Sequence, residues 1–118
     1  MLALLQEEPG AELVESALDD AEMSCVNVSE VLQKAEQHAI DTEGLEVDLE
    51  ALGVRLHAFD ISDARVAADL WRVTRSAGLS FGDRACLALA RRLGGVAVTA
   101  DAQWAQLAGI DVPIEIVR

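Results

Sequence analysis

The sequence predicts an α/β domain in which a mainly parallel sheet is flanked by helices as a three-layer sandwich. Helical apolar patterns alternate with short extended runs, which is typical of parallel strands joined by crossover helices. The chain has 118 residues, which suits a single domain spanning residues 1–118. A hydrophobic fraction of 52% excludes a disordered protein and predicts a substantial core.

The spacing of apolar residues predicts each element in turn. Short extended runs predict strands at residues 22–26, 54–59, 96–99 and 114–117. Apolar residues at helical intervals predict helices at 11–18, 28–40, 47–52, 62–76, 81–93 and 101–108, and residues 1–8 have the pattern of a helix end. In the helices at 62–76 and 81–93, the residues expected to face inward are Ala67, Leu70, Trp71 and Thr74, and Ala85, Cys86, Leu89 and Leu93.

The charge of the chain limits how it could bind nucleic acid. Its formal net charge is -12, whereas broad phosphate binding needs a surface rich in Lys and Arg. If the substrate is RNA, contact would therefore be local, assisted by a metal, or shared within an oligomer. A basic partner is a further way to offset the charge.

The two cysteines, Cys25 and Cys86, lie in apolar runs without a CxxC neighbour. This predicts buried, reduced thiols in a cytoplasmic protein rather than zinc ligands. No apolar stretch is long enough to span a membrane, and no basic region precedes an apolar run at the start. We therefore expect neither a membrane span nor a signal peptide.

Three acidic residues fall where a parallel sheet gathers its ligands. Glu30 and Asp101 each follow a predicted strand, and Asp83 lies in the first turn of the helix at 81–93. Because the carboxyl ends of parallel strands meet along one rim, we expect these carboxylates to converge. Converging carboxylates need a cation between them, and hard oxygen ligands suit Mg²⁺ or Mn²⁺. Ser29 and Thr99 are close enough in sequence to orient a water or a phosphate oxygen.

Each acid also has a purely structural explanation. Asn27 with Glu30, and Ser80 with Asp83, have the spacing of a capping box, and Asp101 is a natural helix N-cap. An acidic residue in a first helical turn is stabilised by up to about 1 kcal/mol without any further function.

Other polar residues are expected to be structural. His38 and His57 have no nucleophile nearby in sequence, and Asp60 and Asp63 have the position of helix caps. Arg91 and Arg92 would solvate a helix end or, alternatively, contact RNA. Trp104 would pack in the core or border the cleft.

Four segments together resemble the PIN-domain toxins of the VapC type. Residues 79–90 (LSFGDRACLALA) closely resemble the third acidic motif of that family, and residues 98–101 (VTAD) with Trp104 resemble the fourth. Residues 24–31 (SCVNVSEV) resemble the second motif, and residues 2–10 resemble the end of the first helix.

The resemblance implies a sheet of about five parallel strands between helices, and cleavage of single-stranded RNA by metal-activated water. Glu30, Asp83 and Asp101 would be ligands of Mg²⁺ or Mn²⁺ or of water, with Thr99 in an auxiliary role. A cognate antitoxin that covers the pocket and a homodimer are also implied.

The resemblance fails at the first motif. Family members open with a central strand that carries an aspartate, and this sequence begins inside the helix that follows; Glu7 and Glu8 lie too far along that helix to replace it. We expect an upstream start, a strand from another chain, or closure of the gap by neighbouring strands. An alternative function is a catalytically impaired PIN-like protein that acts by binding an antitoxin or by dimerising. A receiver domain is disfavoured because the only lysine, Lys34, lies inside a helix.

Overall fold

The computed structural model of the chain describes residues 21–117. The helices predicted at 1–8 and 11–18, and the expectation of a missing first strand and aspartate, concern the chain before residue 21 and lie outside this part. The described elements are, in order, β1 (Glu22–Ser24), α1 (Cys25–Gln37), α2 (Leu45–Ala51), β2 (Arg55–His57), α3 (Ile61–Thr74), a 3-10 turn (Arg75–Ala77), α4 (Phe81–Leu93), β3 (Ala97–Thr99), a second 3-10 turn (Ala102–Gln106) and β4 (Ile114–Ile116).

The prediction for α4 has the right bounds, and the other helices and strands differ by up to three residues at their ends. The largest shift is in α1, which begins at Cys25 because the side chain of Ser24 accepts a hydrogen bond from the amide of Val26. The helix predicted at 101–108 is present as a shorter 3-10 turn at Ala102–Gln106.

The strands pair in parallel, as the sequence predicts. β1 pairs with β2 with Glu22 opposite Arg55, and β3 pairs with β4 with Ala97 opposite Ile114. Within residues 21–117 these are two separate two-stranded sheets rather than one sheet of about five strands. The α/β class is thus found, and the three-layer sandwich stays a prediction.

Helix α4 is the centre of the packing. It contacts β1, β3, α1 and α3, and its buried positions surround most of the helix: Gly82, Ala85, Cys86, Leu87, Ala88, Leu89 and Ala90. Most of these side chains are small, so neighbouring backbones can approach α4 closely. Trp104 joins the same core and is 1% exposed, so the core interpretation of this residue is confirmed.

Three residues expected to be buried are not. Trp71 is 50% exposed and its ring lies under the guanidinium of Arg75. Leu93 is 41% exposed because it ends α4, just before the left-handed Gly94. Cys25 is exposed and Cys86 is buried, and both are free thiols.

None of the helices in residues 21–117 has the length and apolar character needed to cross a membrane.

The start of α3 is fixed by a reciprocal pair of acids. Asp60 accepts a hydrogen bond from the amide of Asp63, and the Asp63 carboxylate accepts one from the amide of Asp60, which confirms the predicted caps. The hydrogen bond from the Asp63 amide lowers the pKa of the Asp60 carboxyl. His57 is also structural, with its ring nitrogen Nε2 2.5 Å from Glu22 Oε1 on β1.

Arg92 connects the end of α4 to the start of α3. Asp63 is only 3% exposed, and Arg92 approaches it with Nε 2.9 Å from Oδ1 and Nη2 3.2 Å from Oδ2. The guanidinium of Arg92 thus neutralises a buried carboxylate, a role that the sequence analysis did not predict. Contact of Arg91 or Arg92 with RNA stays a prediction.

We predict that Arg92→Ala destabilises the fold by about 2 kcal/mol, because it leaves the Asp63 carboxylate buried without its cation. The exposed neighbour Arg91 supplies the control, since Arg91→Ala removes the same charge and should change stability by less than about 0.5 kcal/mol. Urea unfolding of both variants measures the difference. Equal losses would show that the pair with Asp63 contributes nothing.

Candidate functional site

The candidate site begins at the first turn of α4. Ser80 caps this helix by accepting a hydrogen bond from the amide of Asp83, 3.2 Å away, and the Asp83 carboxylate accepts one from the amide of Ser80, 2.9 Å away. The capping box predicted for this pair is confirmed. It fixes the Asp83 carboxylate at the positive end of the helix dipole, where negative charge is favoured.

Asn27 connects α1 to this turn. It is fully buried, and its Nδ2 donates to Glu30 Oε1 at 3.1 Å and to the carbonyl oxygen of Gly82 at 3.0 Å. The predicted capping box of Asn27 and Glu30 was wrong, because Ser24 caps α1 and Asn27 lies inside its first turn. Since both contacts of Nδ2 are to acceptors, the other end of the amide must be the oxygen. That oxygen, Oδ1, is buried without a hydrogen-bond partner.

The carboxylate of Glu30 lies directly against Gly82. A Cβ atom at position 82 would overlap the Glu30 carboxylate, so this close approach requires glycine. Glu30 and Asp83 also both act on the thiol of Cys86, one turn further along α4. Burial raises the pKa of the Cys86 thiol to about 12, and the two carboxylates add to the effect. Glu30 and Asp83 therefore share one neighbourhood at the start of α4.

A second part of the candidate site lies at the end of β3, where Asp101 closely follows Thr99. Asp101 caps the following 3-10 turn by accepting a hydrogen bond from the amide of Gln103, as predicted. The buried hydroxyl of Thr99 accepts a hydrogen bond from the amide of Asp101 at 3.0 Å, so Thr99 fixes the backbone that carries this acid. Within residues 21–117, His, Cys, Asp and Glu side chains form no group of three or more arranged to hold a metal ion.

Comparison with known families decides the classification of the chain. Residues 1–110 match the PIN domain family. The chain belongs to the PIN domain family. PIN domains are generally nucleases, and those nucleases typically use divalent metals. Comparison with curated proteins and with solved structures found no significant match.

The donor atoms of this PIN domain suit a divalent cation. The carboxylates of Glu30 and Asp83, which share the start of α4, are hard oxygen donors of the kind that Mg²⁺ and Mn²⁺ prefer. These residues therefore fit the metal that such nucleases use, and Asp101 is the further candidate ligand.

Two residues that join the acids of this PIN domain, Asn27 and Gly82, were not identified from the sequence as part of the site. Asn27 was interpreted as a cap, and Gly82 was treated only as part of a motif. An available signal was the glycine immediately before Asp83, because glycine in the first turn of a helix has little conformational benefit there and often marks a close approach.

We predict that Gly82→Ala moves the Glu30 carboxylate without unfolding the PIN domain. The new Cβ overlaps the end of a flexible side chain, which can swing away, and alanine is the better helix former. The free energy of unfolding should change by less than about 1 kcal/mol, while nuclease activity falls about 10-fold or more as the carboxylate is displaced.

The matched control is Gly95→Ala, because a Cβ at Gly95 meets no atom within 4 Å. This variant should keep full activity. Full activity of Gly82→Ala would mean that the position of Glu30 against α4 is irrelevant to the reaction.

Proposed function

We propose that this PIN domain is a metal-dependent endoribonuclease that cuts single-stranded RNA, and that it is the toxin of a VapC-type toxin–antitoxin pair. One observation carries the proposal. Asn27 and Gly82 hold the Glu30 carboxylate against the turn that carries Asp83, which places two acids from different helices at the same helix end.

In this proposal Glu30 and Asp83 bind Mg²⁺ or Mn²⁺, and Asp101 completes the ligand set from the end of β3. Thr99 is auxiliary, since its hydroxyl holds the amide of Asp101. Bound there, the cation would lower the pKa of a water and offset the charge that builds on the phosphate. Asn27 fixes the direction of the Glu30 carboxylate and keeps it from turning to solvent.

The charge of the chain supports a restricted contact with the substrate. With a formal net charge of -12, most of the surface repels phosphate, and a neutralised acidic pocket is where a strand of RNA could approach. The same charge favours a basic segment of a cognate antitoxin as the cover of the pocket. We further propose that the protein acts in the cytoplasm as a homodimer.

A second candidate function is binding without catalysis. It is favoured by the absence, within residues 21–117, of three acidic or other ligating side chains arranged for a metal. A PIN domain that cannot retain a cation would act by binding an antitoxin or by dimerising.

We predict that the protein cleaves single-stranded RNA only with Mg²⁺ or Mn²⁺, and that Glu30→Gln and Asp83→Asn each lower the rate about 100-fold or more. Both changes keep the shape of the side chain, and an asparagine at 83 still offers an oxygen to the amide of Ser80. Cleavage of a labelled RNA, followed with and without EDTA, measures the effect.

The controls are Glu36→Gln on α1 and Asp69→Asn on α3, which remove the same charges from exposed positions. Both should cleave at the normal rate. Undiminished cleavage by Asp83→Asn would identify a contaminating nuclease. Absence of cleavage by the unmodified chain at saturating Mn²⁺ would favour the binding function.

A further inference from the structure

The first residue of α4, Phe81, carries an aromatic ring at the surface. Phe81 directly precedes Gly82 and is 50% exposed. Phe59 packs against it edge to face, with ring centroids 5.5 Å apart and ring planes at 85°. The guanidinium of Arg84 lies over the Phe81 ring, 5.7 Å from its centroid. Two neighbours therefore contact the ring, while the residue as a whole stays 50% exposed.

The support under Phe81 is rigid. Nη1 of Arg84 donates to the carbonyl oxygen of Ala67 on α3 at 2.8 Å, so the guanidinium is tied to a second helix. Ser80, on the other side of Phe81, caps α4. A fixed ring loses little conformational entropy when a flat ligand covers it, which is the condition for effective stacking.

Phe81 lies in the same helical turn as Asp83. The carboxylate of Glu30 covers Gly82, which lies between Phe81 and Asp83 in the first turn of α4. The chain has only four aromatic residues, two Phe and two Trp. Trp104 is buried, Trp71 lies on α3 and Phe59 lies before α3, so Phe81 is the half-exposed aromatic residue next in sequence to Gly82.

We propose that Phe81 is a stacking surface for an unpaired base of single-stranded RNA. This proposal rests on the ribonuclease function proposed above and names how the substrate is bound. Stacking does not depend on charge and tolerates any base, so it suits an acidic protein that repels the phosphates. Arg84 places a cation at the same point, which further favours an electron-rich base. Bases inside a duplex are already stacked, so the surface selects single strands.

The test is the affinity for RNA in a cleavage-deficient Glu30→Gln background with Mg²⁺ present. Fluorescence anisotropy compares a labelled single-stranded RNA of about ten nucleotides with an oligonucleotide of the same length whose bases are absent. Phe81→Ala should raise the Kd for the RNA about 5-fold or more and leave the Kd for the abasic strand unchanged. Phe81→Trp should retain the affinity, whereas Phe81→Leu should lose it, because leucine has apolar area but no ring.

The matched control is Trp71→Ala. Trp71 is also 50% exposed and also lies under an arginine, but α3 carries it rather than the turn next to Glu30. The Trp71→Ala variant should leave the Kd for the RNA and the Kd for the abasic strand unchanged. Urea unfolding of each variant confirms that a loss of affinity is not a loss of fold.

The proposal is overturned if Phe81→Ala leaves the affinity for RNA unchanged, or weakens the two oligonucleotides equally. Full affinity of Phe81→Leu would also overturn it, since the ring would then be an apolar contact of the kind a protein partner uses. Cleavage by the unmodified chain is measured separately. Base-dependent stacking without cleavage would refute the ribonuclease function alone, and cleavage without stacking would refute this proposal alone.

Discussion

The candidate site depends on the contact between the first turns of α1 and α4. One buried amide, that of Asn27, donates both to Glu30 and to the carbonyl oxygen of Gly82. In a buried setting such hydrogen bonds are strong, and losing one costs about 1–3 kcal/mol because the partner is left without water. The contact therefore fixes the direction of an acid that would otherwise extend into solvent. Glycine at position 82 leaves the space that the carboxylate fills.

Helix α4 combines two roles that make different demands on its residues. Its middle is lined with small apolar side chains that pack against β1, β3, α1 and α3. Its two ends carry the polar contacts, with Ser80 and Asp83 at the start and Arg92 reaching the buried Asp63 near the end. A rigid, central helix is a suitable support for a site, because acids held on packed elements keep their geometry better than acids on loops.

The features that depend on the local sequence pattern could be predicted from the sequence. The bounds of α4, the Ser80–Asp83 capping box, the capping role of Asp60 and Asp63 and the parallel direction of the strands all follow from patterns along the chain. Long-range contacts were not predictable in this way. The pairing of Arg92 with Asp63 and the approach of Asn27 to Gly82 join residues that are far apart in sequence, and neither leaves a periodic signal. Trp71 was misjudged because its spacing on α3 fits the buried stripe, whereas in the structure its ring lies at the surface beneath Arg75.

The central claim is that Glu30 and Asp83 form a cation site at the start of α4. A crystal structure of the protein with Mn²⁺ bound tests it most directly, since anomalous scattering locates the ion. The account predicts one Mn²⁺ with carboxylate oxygens of both Glu30 and Asp83 at about 2 Å, and Asn27 still bonded to Gly82. Mn²⁺ bound elsewhere on the chain, or Glu30 turned away from Gly82 with the ion in place, would contradict it.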